Sequence, residues 1–351
     1  MISSPPAAPS IEKAKSNHRE TVKAWKKVVA EFEVPDASKA IWQLVNSVGG
    51  LLALWVVMYF TVQVSWLATL LLALLGGGLM VRIFIIFHDC GHGSFFKSRK
   101  ANHFWGFVTG IFTFTPFHHW RWEHSVHHAG SGHLDRRGMG DVWTMTVDEY
   151  LAAPKTERLK YRLLRHPLIL FTVGPFYKFV IRERFTTQGA NARDKKSVHL
   201  MNLAVVAFCG VGIAIFGFWP WFIIQMTIMG VGCPAGIWLF YVQHQYEDTY
   251  WEEAATWDYT AAALEGSSFY KLPKVLQWFS GNIGFHHIHH LSSRIPNYNL
   301  ERCHNSHSMF NDIKPMTMLS SLKCLTYRLW DKDAKRLIGF GQLKRQLAAA
   351  S

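Results

Sequence analysis

The sequence predicts an all-α integral membrane protein, with four transmembrane helices in two hairpins beneath a cytoplasmic helical cap. Three observations lead there. Long apolar stretches come in two closely spaced pairs, the lysines and arginines avoid them, and the histidines gather just outside them. The chain has 351 residues, 49% of them hydrophobic. Its mean hydropathy is only +0.05, which suits a chain that places a fraction of its length in lipid.

Residues 1–40 read as a cytoplasmic N-terminal segment. Pro5, Pro6 and Pro9, followed by Lys-rich sequence, lack the apolar core of a signal peptide. Roughly the first ten residues are expected to be disordered, and Glu12 to Glu33 to form a surface helix. Residues 41–310 read as the membrane domain. Its expected spans are 41–63 and 66–87, then 198–218 and 221–242. Each is close to the ~20 residues that cross a ~30 Å hydrocarbon core. The joints, Val64-Ser65 and the neighbourhood of Trp219-Pro220, carry no charge. Trp42, Trp66, Trp219 and Trp221 fall at span ends, where aromatic belts sit. Gly76, Gly77, Gly78, Gly230, Gly232 and Gly236 lie inside spans and imply close helix packing. Two shorter apolar pieces, 104–117 and 168–181, are expected to be re-entrant or interfacial, and 311–351 a cytoplasmic tail.

Of 37 lysines and arginines, seven precede the first hairpin, 17 lie between the hairpins and 12 follow the second. By the positive-inside rule both termini and the middle segment are cytoplasmic. Arg82, the one exception, is expected to snorkel from the inner end of its helix. The net charge of +13 then reads as orientation and attraction to anionic lipid, not as a nucleic-acid footprint. Five cysteines without a CxxC pair argue against a disulfide framework or a cysteine-rich metal site.

Nineteen histidines are the chemical signal. His88 and His92 stand in "HDCGH", His124, His127 and His128 in "HSVHH", and His286, His289 and His290 in "HHIHH". From Trp66 to His92 is 27 residues, about 40 Å of helix at ~1.5 Å per residue. The first pair therefore emerges on the cytoplasmic side. His244 sits where the fourth span emerges, so four segments bring imidazoles to one level. On a helix, positions i, i+3 and i+4 share a face. Imidazole suits iron, zinc, copper and nickel. Eight or nine nitrogens exceed what one ion needs, and two ions fit the count. Glu-x-x-His occurs once, at Glu301–His304, whereas the carboxylate di-iron bundle of soluble proteins needs two, which argues against that site.

These three boxes, in this order around two hairpins, resemble the membrane fatty-acid desaturases. The stretches "FIIFHDCGHGSFFKSRKAN", "HWRWEHSVHH", "GDVWTMTVDEY" and "GIWLFYVQHQYED" are similar to bacterial acyl-lipid desaturases, including the Bacillus-type phospholipid enzymes. So is the run from Gly266 to His304, and the likeness covers about Pro35 to His304. The resemblance implies a histidine-ligated di-iron centre that uses dioxygen and two electrons to place a cis double bond in an acyl chain of a membrane glycerolipid. It implies His88, His92, His124, His127, His128, His286, His289 and His290 as catalytic metal ligands, with His244 as a ninth. Asp89, Glu123 and Asn282 are candidates for orienting that set from behind. Three residues separate the histidines of the first box, as in acyl-lipid rather than acyl-CoA enzymes. No fused cytochrome b5 signature occurs, so a separate ferredoxin-like donor with its reductase is expected. The implied location is a bacterial cytoplasmic (inner) membrane.

His287 has Ser125 as its counterpart in the second box, so ligand geometry does not require it. His118, His119, His133, His304 and His307 read as surface or supporting residues. Asp141, Trp143, Trp257, Asp258 and Tyr259 fall in family-like stretches without an assignable chemistry. A carotenoid ketolase or hydroxylase, or an alkane hydroxylase, shares the boxes, but the intervening stretches favour the desaturase. A metal transporter or sensor would carry its ligands along the spans, and here the spans hold almost no ionisable residue.

Overall fold

A computed structural model describes residues 25–138, 140–310 and 312–350. The disorder expected for the first ten residues, and most of the helix expected over 12–33, lie outside them. The described end of that helix, 25–30, buries Trp25 and Val29 in the same apolar cluster as Ile288 and Leu300.

Four helices are long and apolar enough to cross a membrane: α1 (Ala37–Val64), α2 (Trp66–His92), then, further along the chain, Ala192–Phe216 and Phe218–His244. Each runs past the apolar stretch at one end or both, because polar caps lie beyond the lipid-facing residues. Asp36 caps α1 by accepting from the Lys39 amide. Ser65, extended at φ −155°, turns the chain and caps α2 through the Ala68 amide. The second hairpin turns earlier than the neighbourhood of Trp219-Pro220. The bend is at Gly217, whose φ of 83° favours glycine, and Pro220 lies in the first turn of the following helix, where proline is tolerated.

The second and fourth spans pack closely through glycines. A Cβ at Gly77 would stand 2.4 Å from the Val231 side chain, and one at Gly232 would stand 2.9 Å from Met80 Sδ. That contact draws together the two helices that end in His92 and His244.

Neither short apolar piece forms a helix long and apolar enough to cross a membrane. The first divides into α3 (Arg99–Phe112) and α4 (Phe117–Gly130), separated by a turn with Phe114 at φ 55°. Fourteen residues give about 21 Å of helix, short of a ~30 Å core. The second is a run of π- and α-helical turns over Ile169–Ile181. It exposes Val173, Tyr177 and Ile181 and buries Phe179. It follows α5 (Lys155–Leu164) directly. The two remaining long helices are α6 (Ala192–Phe216) and α7 (Phe218–His244).

Arg82 does not snorkel. It is 8% exposed, and its Nε donates to Ser47 Oγ at 3.1 Å. Its Nη1 donates to the Trp278 carbonyl, and the guanidinium sits 4.0 Å from the Trp278 ring. Internal acceptors replace the water that snorkelling would seek. The link joins the first two spans to the segment that leads into the third box.

Beyond that box, α8 (His286–Leu291) and α9 (Asn297–His304) follow in close succession. The C-terminal residues fold back onto this region. Phe269–Tyr270 pairs in parallel with Pro315–Met316, and Leu329–Asp331 forms a hairpin with Arg336–Ile338. Tyr241 donates its hydroxyl hydrogen to the Cys324 carbonyl at 3.1 Å. The last helix, α10 (Phe340–Ala350), lies against α5.

Candidate metal centre

Nine imidazoles converge where α2, α4, α7 and α8 meet, and they divide into two groups. His88, His92, His124, His128 and His289 form one; His127, His244, His286 and His290 form the other. Within each group the ligand atoms all lie within 4.8 Å of one another. Every box histidine expected as a ligand is there, and so is His244.

The division follows from helix geometry. In an H-x-x-H-H unit the i and i+4 residues are ~40° apart around the axis, and i+3 lies ~60° to the other side. The second box sends His124 and His128 to the first group and His127 to the second. The third box reverses this, with His286 and His290 in the second group and His289 in the first. The second and third boxes thus each tie the two groups together, while both histidines of the first box belong to the first group.

The donor chemistry fits metal ions. His289 Nε2 and His128 Nε2 are 3.0 Å apart, and His286 Nε2 and His244 Nε2 are 2.9 Å apart. Nitrogens that each sit about 2.1 Å from one ion stand about 3 Å apart when neighbouring. His92 Nε2, His127 Nε2 and His290 Nε2 are buried without a hydrogen-bond partner. Buried donors and acceptors are ordinarily paired, so these atoms mark places for a ligand. Burial, followed by neighbouring imidazoles, holds His124, His128, His289 and His290 well below the usual histidine range. His286 is lowered likewise, by burial first and then by His244. Their lone pairs are therefore available at neutral pH.

Carboxylates and carbonyls behind the ring set orient it. Asp89 Oδ1 lies 2.9 Å from His88 Nδ1, and its Oδ2 accepts from the amide and side chain of Asn297 at 2.6 and 2.8 Å. Asp141 Oδ1 lies 2.5 Å from His127 Nδ1, and the Gly266 carbonyl lies 3.2 Å from His244 Nδ1. In each case the outer contact leaves Nε2 facing the cluster. The Trp120 ring stacks on His124 with centroids 4.4 Å apart. Tyr259 donates its hydroxyl hydrogen to the His290 carbonyl at 2.8 Å.

Two of the supporting candidates sit elsewhere. Glu123 accepts from Thr187 Oγ1, lies 3.8 Å from Lys178 Nζ and 3.9 Å from His119 Nε2, and makes no hydrogen bond to a box imidazole among the described residues. The Asn282 side chain accepts from Gln277 and donates to the Asn297 carbonyl, two steps removed from His88 by way of Asp89. Asp141 is the residue that spacing alone misses. It reaches His127 from a loop 14 residues away, past Gly140 at φ 74°, and its one sequence signal was a family-like stretch. His287 belongs to neither group. It is fully buried, its Nε2 lies 3.0 Å from His304 Nδ1, and burial beside His304 lowers it to about 3.

A cavity of about 630 Å³ opens against both groups. His88 and His124 of the first and His286 of the second stand in its wall. Away from the histidines the lining is mainly apolar, with Met80 and Ile85 of α2, Phe179, and Cys233 and Ile237 of α7, while Glu123, Asp141, Arg165, Lys178 and Arg182 supply its charged groups. A cavity of this size and character holds a long apolar ligand with one stretch laid across the histidines.

Comparison with known proteins agrees with this geometry. The model of the fatty acid desaturase family matches residues 64–312. The chain belongs to the fatty acid desaturase family. It is 46% identical over 318 residues to a fatty acid desaturase of Bacillus subtilis (strain 168), covering 91% of this chain and 90% of that one. It is 28% identical to an sn-1 oleoyl-lipid 12-desaturase of Synechocystis, covering 77% and 76% of the two chains. An sn-1 acyl-lipid omega-3 desaturase (ferredoxin) of the same organism is 26% identical, over 68% and 67%. The desaturase motifs legible in the sequence thus coincide with the residues that the fold gathers into two groups.

Proposed function

We propose that this acyl-lipid desaturase places a cis double bond in a membrane-lipid acyl chain at a pair of iron ions, one in each histidine group. The observation that carries this reading is one mainly apolar cavity walled by imidazoles of both groups. When bound, the iron pair supplies the dioxygen-dependent removal of two hydrogens from neighbouring unactivated methylenes, which side-chain acids and bases cannot perform. The protein's part is to hold the metal ions and the chain in register. Asp89, Asp141 and the Gly266 carbonyl fix ring orientation. The apolar walls hold the chain against them and exclude water. Lipid analysis of a host expressing the protein tests the reading. A new double bond at one position supports it, and an added hydroxyl or keto group instead would favour the related oxygenases.

Gly236 supports the cavity's assignment to an acyl chain. It lines the cavity eight residues before His244, about 12 Å along the helix, and a Cβ there meets nothing within 4 Å. Gly236→Phe should fill that space and lower turnover of long chains by at least about tenfold, with metal content unchanged. Equal turnover in the variant would place the chain elsewhere.

The finer reading has residues 41–310 as the catalytic membrane domain, in the inner membrane of a bacterium. Residues 1–40 and 311–351 are its cytoplasmic flanks, and the metal centre faces the cytoplasm. Four spans and the basic segments on one side of them support it. Reporters fused after Glu33, near Lys155 and at Ser351 should all read cytoplasm, and one at Trp219 should read outside. An outside signal near Lys155 would mean that one further span precedes it, within 104–117.

The electron donor is a separate ferredoxin-like protein with its reductase. The ferredoxin-dependent relative supports that choice, as does the basic cytoplasmic side, which attracts acidic carriers. Turnover should require the added carrier and fall as salt is raised. Full turnover with NADH and no second protein would overturn it.

A further inference from the structure

A second concavity lies away from the metal centre, between α5 and α10, with a volume of about 620 Å³. Its cations are Lys155, Arg158 and Arg162 of α5 and Lys344 of α10. Its apolar lining includes Leu159 and Leu347, both exposed. At 100° per residue, Lys155, Arg158, Leu159 and Arg162 share one face of α5.

Among the described residues no carboxylate lines this groove. Glu157, the acid of α5, lies on another face, 3.8 Å from Lys160. The two arginines are held in place by neutral groups. Arg162 Nε donates to the Tyr150 hydroxyl at 2.6 Å, and its guanidinium sits 4.6 Å from the Phe340 ring. Arg158 Nε donates to the Ala153 carbonyl at 2.8 Å. Four cations are thus gathered over apolar side chains without an internal anion.

What lies beside the groove says which anion fits. Leu159, Leu163, Leu164 and Leu168 are each more than half exposed. They lead into the run Ile169–Ile181, which exposes Val173, Tyr177 and Ile181 along with one polar residue, Thr172. A basic helix with exposed leucines, continuous with an apolar run, has the character of a helix lying in a membrane interface. A soluble acidic protein would meet the cations but leave the leucines in water. An amphiphile with an anionic head and acyl chains satisfies both.

We infer that the groove between α5 and α10 is a binding site for an anionic phospholipid. The phosphate sits among Lys155, Arg158, Arg162 and Lys344, and the chains run over Leu159 and Leu347 toward the bilayer. Nothing in this site depends on the metal centre or on the reaction proposed for it.

Native mass spectrometry of the full chain in detergent tests the site, with phosphatidylglycerol, phosphatidylcholine and inorganic phosphate as probes. The wild-type protein should bind one phosphatidylglycerol at least about tenfold more tightly than phosphatidylcholine. Lys155→Gln with Lys344→Gln should remove that preference, and Lys155→Arg with Lys344→Arg should keep it. Inorganic phosphate should not displace the lipid. Both lysines are exposed, so the glutamine variant should unfold at the wild-type temperature. If it does not fold, Lys344→Gln alone carries the test, with a roughly fivefold loss of preference expected. Equal binding of the two lipids by the wild type would overturn the site. So would an undiminished preference in the folded glutamine variant, or displacement by phosphate alone.

Discussion

His128→Ala is expected to abolish double-bond formation and to strip metal from the first histidine group. Its Nε2 lies 3.1 Å from His124 Nε2 and 3.0 Å from His289 Nε2, so one substitution opens a set drawn from all three boxes. His286→Ala should have the same effect on the second group, where its partner is His244 at 2.9 Å. His287→Ala should behave differently although it adjoins His286. Its ring meets His304 and lies 5.6 Å from the Phe269 ring, and it contributes to neither group. That variant should keep its metal and at least part of its activity, while losing some stability through the half-buried His304 left without its partner. Metal content and product formation, measured on the same preparations, separate these cases. A His287→Ala protein that loses metal while His286→Ala retains it would mean that the assignment within this box is wrong.

Asp89→Ala should produce the next largest loss. One carboxylate serves two elements here: Oδ1 meets His88 Nδ1, and Oδ2 accepts two bonds from Asn297 at the start of α9. Removing it frees the His88 ring to rotate and leaves buried donors of Asn297 unpaired. Outer partners of metal-bound histidines typically account for 10–100-fold in affinity or activity, and the loss should be about that size. Asp89→Asn retains an acceptor for one of these bonds and should recover part of it. A competition titration with a chelator reads the affinity directly, and unchanged metal retention in Asp89→Ala would remove the carboxylate from the account.

The candidate ligands were legible because their spacing is local. H-x-x-H-H and H-x-x-x-H place imidazoles on one helix face whatever surrounds the helix. Which group each side of the second and third boxes joins was not, because it depends on how α4 and α8 approach each other. Asp141 was illegible for a related reason: a loop carries it to His127, and no periodicity marks a loop residue. The four spans were clear from hydropathy, whereas their ends were set by caps and by Gly217. Arg82 shows where a one-dimensional rule misleads. Position near a helix end suggested snorkelling, but Ser47 and Trp278 arrive from distant parts of the chain and satisfy the guanidinium inside. The cavity combines walls from α2, α7 and the run before α6, which only the folded chain brings together.

The central claim is that the nine histidines hold two iron ions, one in each group. Elemental analysis of the full chain, prepared anaerobically with ample iron, tests it most directly. The account predicts about two irons per chain in the wild-type protein. A wild-type protein that holds one ion per chain under these conditions would contradict it.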